Sequence, residues 1–392
     1  MIKSKSFNSN FIIFIMMLGT FSILSTELGF VGILPQVAQY FSIGIDDAGL
    51  FISCFSAIIA VGSLIVPIVV SRFNRRHLFI VVLAIMSIFS FAGGLTDNFY
   101  VALACRIVTA IFYPAYISIA FTVAGEIAQP SDAPRAISKI VMGISAGTIF
   151  GVPLCTFFAN HGGYPMAMFW FGFLNLAICI LTVLFFPSIE GHEDVNLKSQ
   201  FLSAKSGIFL ISTLAVVVFS TGFCGFYNYA SSFIQLVTGI VGGNVTVTLL
   251  IAGIMSIFGS WTAGRMLSSE GSSCFVICSV VCMCVNFILF YVFASNYLVV
   301  ILLMAILGFL DGIFNNLIQY WIFSAIPQAP EFANGVFMSM LNVGITVATI
   351  LSSRVIDKVG IIGIIPVCVC ILVVAIVLFA YRMRRYPTND TS

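Results

Sequence analysis

Charge is what this chain has least of. Asp, Glu, Lys and Arg make up 8% of its 392 residues, where a soluble domain carries about a quarter. The net charge is only +2, too little for the basic face that a nucleic-acid partner requires. Histidine is as scarce. His77, His161 and His192 stand far apart and near loops, so no metal site is expected. Cysteine is present without a framework. Cys54, Cys105, Cys155, Cys179 and Cys224 are scattered singly through apolar runs. Cys282 with Cys284, and Cys368 with Cys370, are spaced C-x-C, not the C-x-x-C of zinc and redox sites. They read as small buried hydrophobes. Catalytic signatures are missing too: there is no glycine-rich phosphate loop with lysine, no H-E-x-x-H and no G-x-S-x-G. An enzyme, a bound cofactor and an ATP-driven machine are therefore not expected. Nor is there a repeated selectivity-filter motif or a cleavable signal-peptide pattern.

What the chain does have is apolar surface. Hydrophobic residues make up 60% of it, with 40 Phe. No soluble core hides that much, so the expected solvent is lipid. Apolar runs recur between short polar breaks and predict twelve helices: 11–34, 47–70, 77–95, 99–124, 137–159, 164–186, 207–237, 245–266, 273–293, 297–324, 333–354 and 360–381. Each suits a hydrocarbon core of ~30 Å, which needs ~20 apolar residues. Helix is forced because lipid offers an open backbone no hydrogen-bond partner. The alternating polarity of a β-barrel is absent. The expected fold is an all-α membrane protein.

Lysine and arginine set the orientation. With the N-terminus inside, Lys3, Lys5, Arg72, Arg75, Arg76, Arg135, Lys139, Lys198, Lys205, Arg265, Arg382, Arg384 and Arg385 fall on the inner side, and only Arg354 and Lys358 on the outer. That bias is the positive-inside rule, and it places both termini in the cytoplasm. The longest polar break, 187–206, divides the chain nearly in half. It predicts a six-helix bundle over 1–186, a cytoplasmic linker over 187–206 and a second bundle over 207–392. A weak repeat supports the halving. Ser25-Thr26-Glu27-Leu28-Gly29-Phe30 resembles Ser220-Thr221-Gly222-Phe223, and Val61-Gly62-Ser63 resembles Phe258-Gly259-Ser260. Parallel halves are one known way to build a transporter.

Three ionisable residues lie deep in these helices: Glu27, Arg106 and Asp311. A charge at mid-membrane costs at least ~2.5–3.5 kcal/mol, so each marks a protected cavity or a use. Protonation is the obvious use for Glu27. A carboxylate exposed to each side in turn can load a proton outside and release it inside, and one charge crossing the membrane potential gains ~2.3 kcal/mol per 100 mV. Asp311 begins a polar stripe, because Asn315 and Gln319 follow at helical steps on one face. Such a stripe faces protein or water. It lines a cavity or serves as hydrogen-bond glue, worth ~0.6 kcal/mol on average. Phe30, Tyr113, Tyr116, Tyr227, Asn228 and Asn342 are further candidate substrate contacts, against a plain role in packing. Gly143, Gly147 and Gly151 share one helix face and permit close helix approach, and Pro153 after them favours a bend.

The chain resembles the major facilitator superfamily, in particular the bacterial drug:proton antiporter branch that includes sugar efflux and arabinose efflux transporters. The resemblance runs through Thr26-Glu27-Leu28-Gly29-Phe30 to Leu34-Pro35, through Arg106 with Tyr113-Pro114-Ala115, and through Gly143, Gly147, Gly151, Val152, Pro153 and Leu154. It implies two pseudo-symmetric bundles of six helices in the bacterial inner membrane. It also implies proton coupling at Arg106 and exchange at the glycine motif. The loop after the second helix departs from the family's G-x-L-A-D-R-x-G-R-R/K. Arg72, Arg75 and Arg76 match, while Pro67, Ser71 and Asn74 replace Gly, Asp and Gly. Asp311 belongs to no signature of the family. The resulting expectation is a monomeric antiporter whose partners are protons, the bilayer and a small solute, either a sugar-like metabolite or a lipophilic drug. An importer of the same architecture and a non-transporting membrane sensor are the alternatives.

Overall fold

The computed structural model describes residues 9–70, 72–128, 133–191, 206–266, 272–325 and 330–385. Lys3, Lys5, Lys198, Lys205 and most of the expected linker lie outside them. Every regular element among the described residues is helical. In order these are α1 (Ser9–Phe41), α2 (Ile45–Ala48), α3 (Leu50–Val70), α4 (Arg75–Gly94), α5 (Phe99–Ile127), α6 (Ala133–Phe185), α7 (Gly207–Tyr227), α8 (Ala230–Phe233), a π turn (Ile234–Thr238), α9 (Gly243–Met266), α10 (Ser272–Val292), α11 (Tyr297–Ala325), α12 (Pro330–Val359), a 3-10 turn (Ile361–Gly363) and α13 (Ile364–Arg385).

Eleven of the helical stretches described are long and apolar enough to cross a membrane. The twelfth expected span is inside α6, which runs for 53 residues. At ~1.5 Å per residue that is roughly 80 Å, more than two crossings of a ~30 Å core. The break falls at Gly162 and Gly163. Gly163 takes φ 68° and ψ −165°, a region essentially restricted to glycine. The arms on either side match the expected fifth and sixth spans. Pro153 lies inside the arm before that break. The expected helix over 207–237 is interrupted as well. It ends at Tyr227, resumes briefly as α8 and closes in the π turn before Gly239, at φ 74°. Large apolar side chains such as Phe173, Leu184, Leu302 and Val377 are exposed, as lipid-facing residues should be.

The chain forms two compact units, Met1–Phe30 with Val61–Val195 and Val31–Ala60 with Asn196–Ser392. In the first, the glycine stripe of α6 lies on α1. A Cβ at Gly143 would strike the Met17 carbonyl and the Thr20 hydroxyl, and one at Gly151 would come within 2.8 Å of the Ser25 Cα. The stripe's residues are glycines because both main-chain and side-chain atoms of α1 stand where a Cβ would go. Asn74 caps α4 by accepting from the Arg76 and His77 amides, the role in which Asn excels. In the second unit, Ser231 donates to the Gly32 carbonyl at 2.7 Å and Ser339 to the Ala60 carbonyl at 2.6 Å. There α9 and α11 pack main chain to main chain, with Gly308 against the Ala252 carbonyl and Gly312 against that of Ser256.

Candidate functional site

The first unit gathers its polar groups around Arg106 on α5. The guanidinium is 5% exposed. It donates to the Thr26 carbonyl at 2.6 Å and to the Glu27 carbonyl at 2.8 Å. Both oxygens belong to the interior of α1, so the arginine uses their second lone pairs. Hydrogen bonds to a charged group contribute about 1.5–3 kcal/mol each. The same guanidinium lies 4.1 Å from the centre of the Phe30 ring, close enough for a cation–π attraction of about 2 kcal/mol when desolvated. Phe30 is held in turn between Tyr164 at 6.4 Å and Phe171 at 6.5 Å.

The Glu27 side chain is half-buried. The Tyr113 hydroxyl donates to its carboxylate, and the Arg106 charge acts on it. Arg106 and Tyr113 stand two turns apart on α5, so one helix presents a cation and a hydroxyl to one acid. The sequence reading assigned Glu27 and Arg106 to proton coupling and Tyr113 and Phe30 to the substrate, and the fold brings the four together.

Asn175 had no part in that reading. It is fully buried. It accepts from the Ser22 hydroxyl at 2.9 Å and donates to the Thr26 hydroxyl at 3.3 Å and to the Phe171 carbonyl at 2.8 Å. It therefore ties α6 to the turn of α1 that Arg106 grips. An amide within the run Phe173-Leu174-Asn175-Leu176-Ala177 was the available signal.

A small cavity of about 10 Å³ lies beside Arg106. Thr26, Phe30, Ser90, Gly93, Cys105 and Thr109 are among the residues that line it, with Tyr164 at its far wall.

The second unit has its own acid. Asp311 on α11 is 6% exposed. Ser256 on α9 donates to one carboxylate oxygen at 3.2 Å, and Asn315 donates to the other at 3.0 Å and to the Asp311 carbonyl at 3.0 Å. The stripe expected along α11 thus holds from Asp311 to Asn315, while Gln319 stands exposed.

The remaining candidates fall in varied places. Tyr116 is wedged between Phe79, 4.6 Å between ring centres, and Gly19. Tyr227 is half-buried and stacks on Phe223 at 5.3 Å. Asn228 donates to the Thr349 hydroxyl at 2.9 Å. Asn342 is buried, donates to the Met338 carbonyl, and has a side-chain oxygen without a partner among the described residues. Arg72 is exposed. Arg76 donates to the Val183 carbonyl at 2.6 Å, and the main-chain amide of Arg75 donates to the Ile189 carbonyl at 2.8 Å. Those two residues pin the start of α4 to the end of α6. Arg382, counted with the inner-side cations, is buried. It donates to the Ser212 hydroxyl at 2.8 Å and lies 4.1 Å from the Trp321 ring centre. No group of three or more His, Cys, Asp or Glu among the described residues is placed to hold a metal ion.

A family model described as Major Facilitator Superfamily matches residues 11–348. Among solved structures, the nucleoside transporter NupG, in a mutant form, is similar at 15% identity with a TM-score of 0.75, covering 97% of this chain and 100% of that one. The human organic anion transporter MFSD10 (TETRAN) is similar at 13% identity and a TM-score of 0.68, covering 95% and 99%. A bacterial homologue of the human lysosomal transporter Spinster, inward-facing and unoccupied, gives 14% identity, a TM-score of 0.73 and 99% coverage of both chains. At such identities the likeness is one of fold.

Proposed function

The chain belongs to the Major Facilitator Superfamily, a transporter and not an enzyme, and from that premise we propose a proton-coupled antiporter that exports a small organic solute by alternating access. The observation that carries this reading is the meeting of Glu27, Arg106 and Tyr113. A hydroxyl and the charge of a cation, both from one helix, act on the carboxylate, so both of its protonation states are accommodated. As a carboxylate it accepts from Tyr113 and faces the Arg106 charge. Once protonated it releases that charge to the α1 carbonyls and the Phe30 ring, which bind the guanidinium whichever form Glu27 takes. A proton can then arrive and leave without stranding an ion in oil.

Glu27 is the main carrier in this reading and Asp311 a second acid. The two six-helix halves, 1–186 and 207–392, each contribute an acid to the alternating-access cycle. Tyr227, Asn315 and Gln319 are the accessible polar and aromatic candidates to touch the solute. Asn315 and Asn342 favour a sugar-like metabolite, and the phenylalanine-rich helices favour a lipophilic drug. The glycine stripe on α6 supports exchange over symport through the family resemblance noted above.

The test uses the purified protein in proteoliposomes with an imposed pH gradient, screened against sugars, nucleosides, organic anions and cationic dyes. Antiport predicts that one of these solutes moves against the proton flow. Movement of solute and proton together, or solute movement indifferent to the gradient, would refute it.

A further inference from the structure

The cavity beside Arg106 is lined by helices α1, α4, α5 and α6 of one unit, and neither Glu27 nor Tyr113 lines it. Its volume of about 10 Å³ matches the room that a single water's centre needs. Its walls are mixed. Ser90, Thr109, Tyr164 and Arg106 supply polar residues, and Phe89, Met168 and Phe171 the apolar remainder. An ordered water needs two to four polar partners, and this wall offers them.

Ser90 is the informative residue. It is 5% exposed and lines the cavity, and no hydrogen bond joins its hydroxyl to the described residues. Its oxygen is not among the fully enclosed polar atoms that lack a partner, so it reaches open space, and a water in the cavity can bond it. Thr109 already donates its hydroxyl proton to the Arg106 carbonyl at 2.7 Å, which leaves its oxygen to accept.

We propose that this cavity is a binding site for one water molecule, held by Ser90, Thr109 and the Arg106 guanidinium. Resting on the reading of Glu27 as proton carrier, the water serves as part of the arginine's solvation. When Glu27 takes up a proton, Arg106 loses a counter-charge. A dipole within the low-dielectric bundle that can turn its oxygen to the guanidinium offsets part of that loss. The carbonyls of Thr26 and Glu27 hold the arginine from α1, and the water solvates it on the cavity's side.

Gly93 makes the idea testable. It lines the cavity, and a Cβ built there would lie 3.4 Å from the Tyr164 hydroxyl and 3.7 Å from the Cys105 Cβ. These are ordinary contacts, so Gly93→Ala fills the space without displacing its neighbours. Infrared spectra of the purified full chain, recorded at acid and at neutral pH and taken at each pH as the difference between ordinary and oxygen-18 water, read internal water directly. The wild type should show an isotope-sensitive internal-water band that Gly93→Ala removes and Ser90→Ala shifts. A band unchanged in both variants, or none in the wild type, overturns the site. The Glu27→Gln chain separates the two readings. Its band should persist but stop responding to pH. A wild-type band that Gly93→Ala removes, yet pH never moves, upholds the water site and overturns the carrier role of Glu27. Thermal unfolding gives an independent check: a methyl in a dry void raises the melting temperature, whereas a methyl that expels a bound water lowers it.

Discussion

Glu27 in one unit and Asp311 in the other each sit within a long apolar helix, and the two acids are held in different ways. Glu27 is half-buried and meets a full positive charge and a tyrosine hydroxyl, both presented by α5. Asp311 is more deeply buried and meets only neutral partners, the Ser256 hydroxyl and the Asn315 amide. Its helix is pressed main chain to main chain against α9 through Gly308 and Gly312. The contrast separates two uses of a carboxylate in oil. A cation that keeps its own backbone ligands lets the acid change charge. In the mechanism proposed above, a cradle of neutral donors on a tightly packed helix pair suits Asp311 to changing protonation with little movement of its surroundings.

The largest effect should come from Arg106. Arg106→Ala removes two charge-assisted bonds, about 1.5–3 kcal/mol each, together with the contact over Phe30. Transport in proteoliposomes should fall by roughly a hundredfold or more, at 1.4 kcal/mol per factor of ten. Among the described residues the hydrogen-bond partners of the Asp311 carboxylate are neutral, Ser256 and Asn315, so Ser256→Ala should cost far less. Equal losses would erase the contrast. Next come the glycines that set the helix pairs. Gly312→Leu and Gly147→Leu each force a side chain into a neighbouring main chain, at about 1–3 kcal/mol. Both should lower the melting temperature, Gly312→Leu the more because α9 and α11 interlock from both sides. Tyr113→Phe removes one hydroxyl from Glu27, worth about 1 kcal/mol. It should shift the pH profile of transport while leaving thermal stability nearly unchanged, whereas a purely structural Tyr113 would do the opposite. Asn175→Leu should have the smallest effect. Membrane hydrogen bonds average about 0.6 kcal/mol, so a modest fall in melting temperature is expected.

Much of this was legible in the chain itself. Hydropathy separated the spans because lipid allows few alternatives to helix. Glu27, Arg106 and Asp311 stood out because charge in an apolar run is costly, and the α6 glycines marked a close helix contact that the fold contains. Other parts were hidden for physical reasons. Asn175 is neutral, and an amide among leucines looks the same whether it packs or organises a network. The arginine's grip on the Thr26 and Glu27 carbonyls was invisible, since every residue has a carbonyl and only the fold decides which one faces a guanidinium. Gln319 shares the helical period of Asp311 and Asn315, yet it is exposed while Ile318 and Trp321 beside it are buried, a difference that the period alone does not reveal. Arg382 read as a surface cation because it ends an apolar span, and it is folded inward over Trp321 instead.

The most direct test compares Glu27→Gln with Asp311→Asn under an imposed pH gradient, with solute flux recorded across a range of pH. If Glu27 carries the proton, Glu27→Gln abolishes gradient-driven transport and flattens its pH dependence, while Asp311→Asn keeps a pH-dependent flux at reduced rate. Gradient-driven flux in Glu27→Gln with the wild-type pH profile would contradict the account.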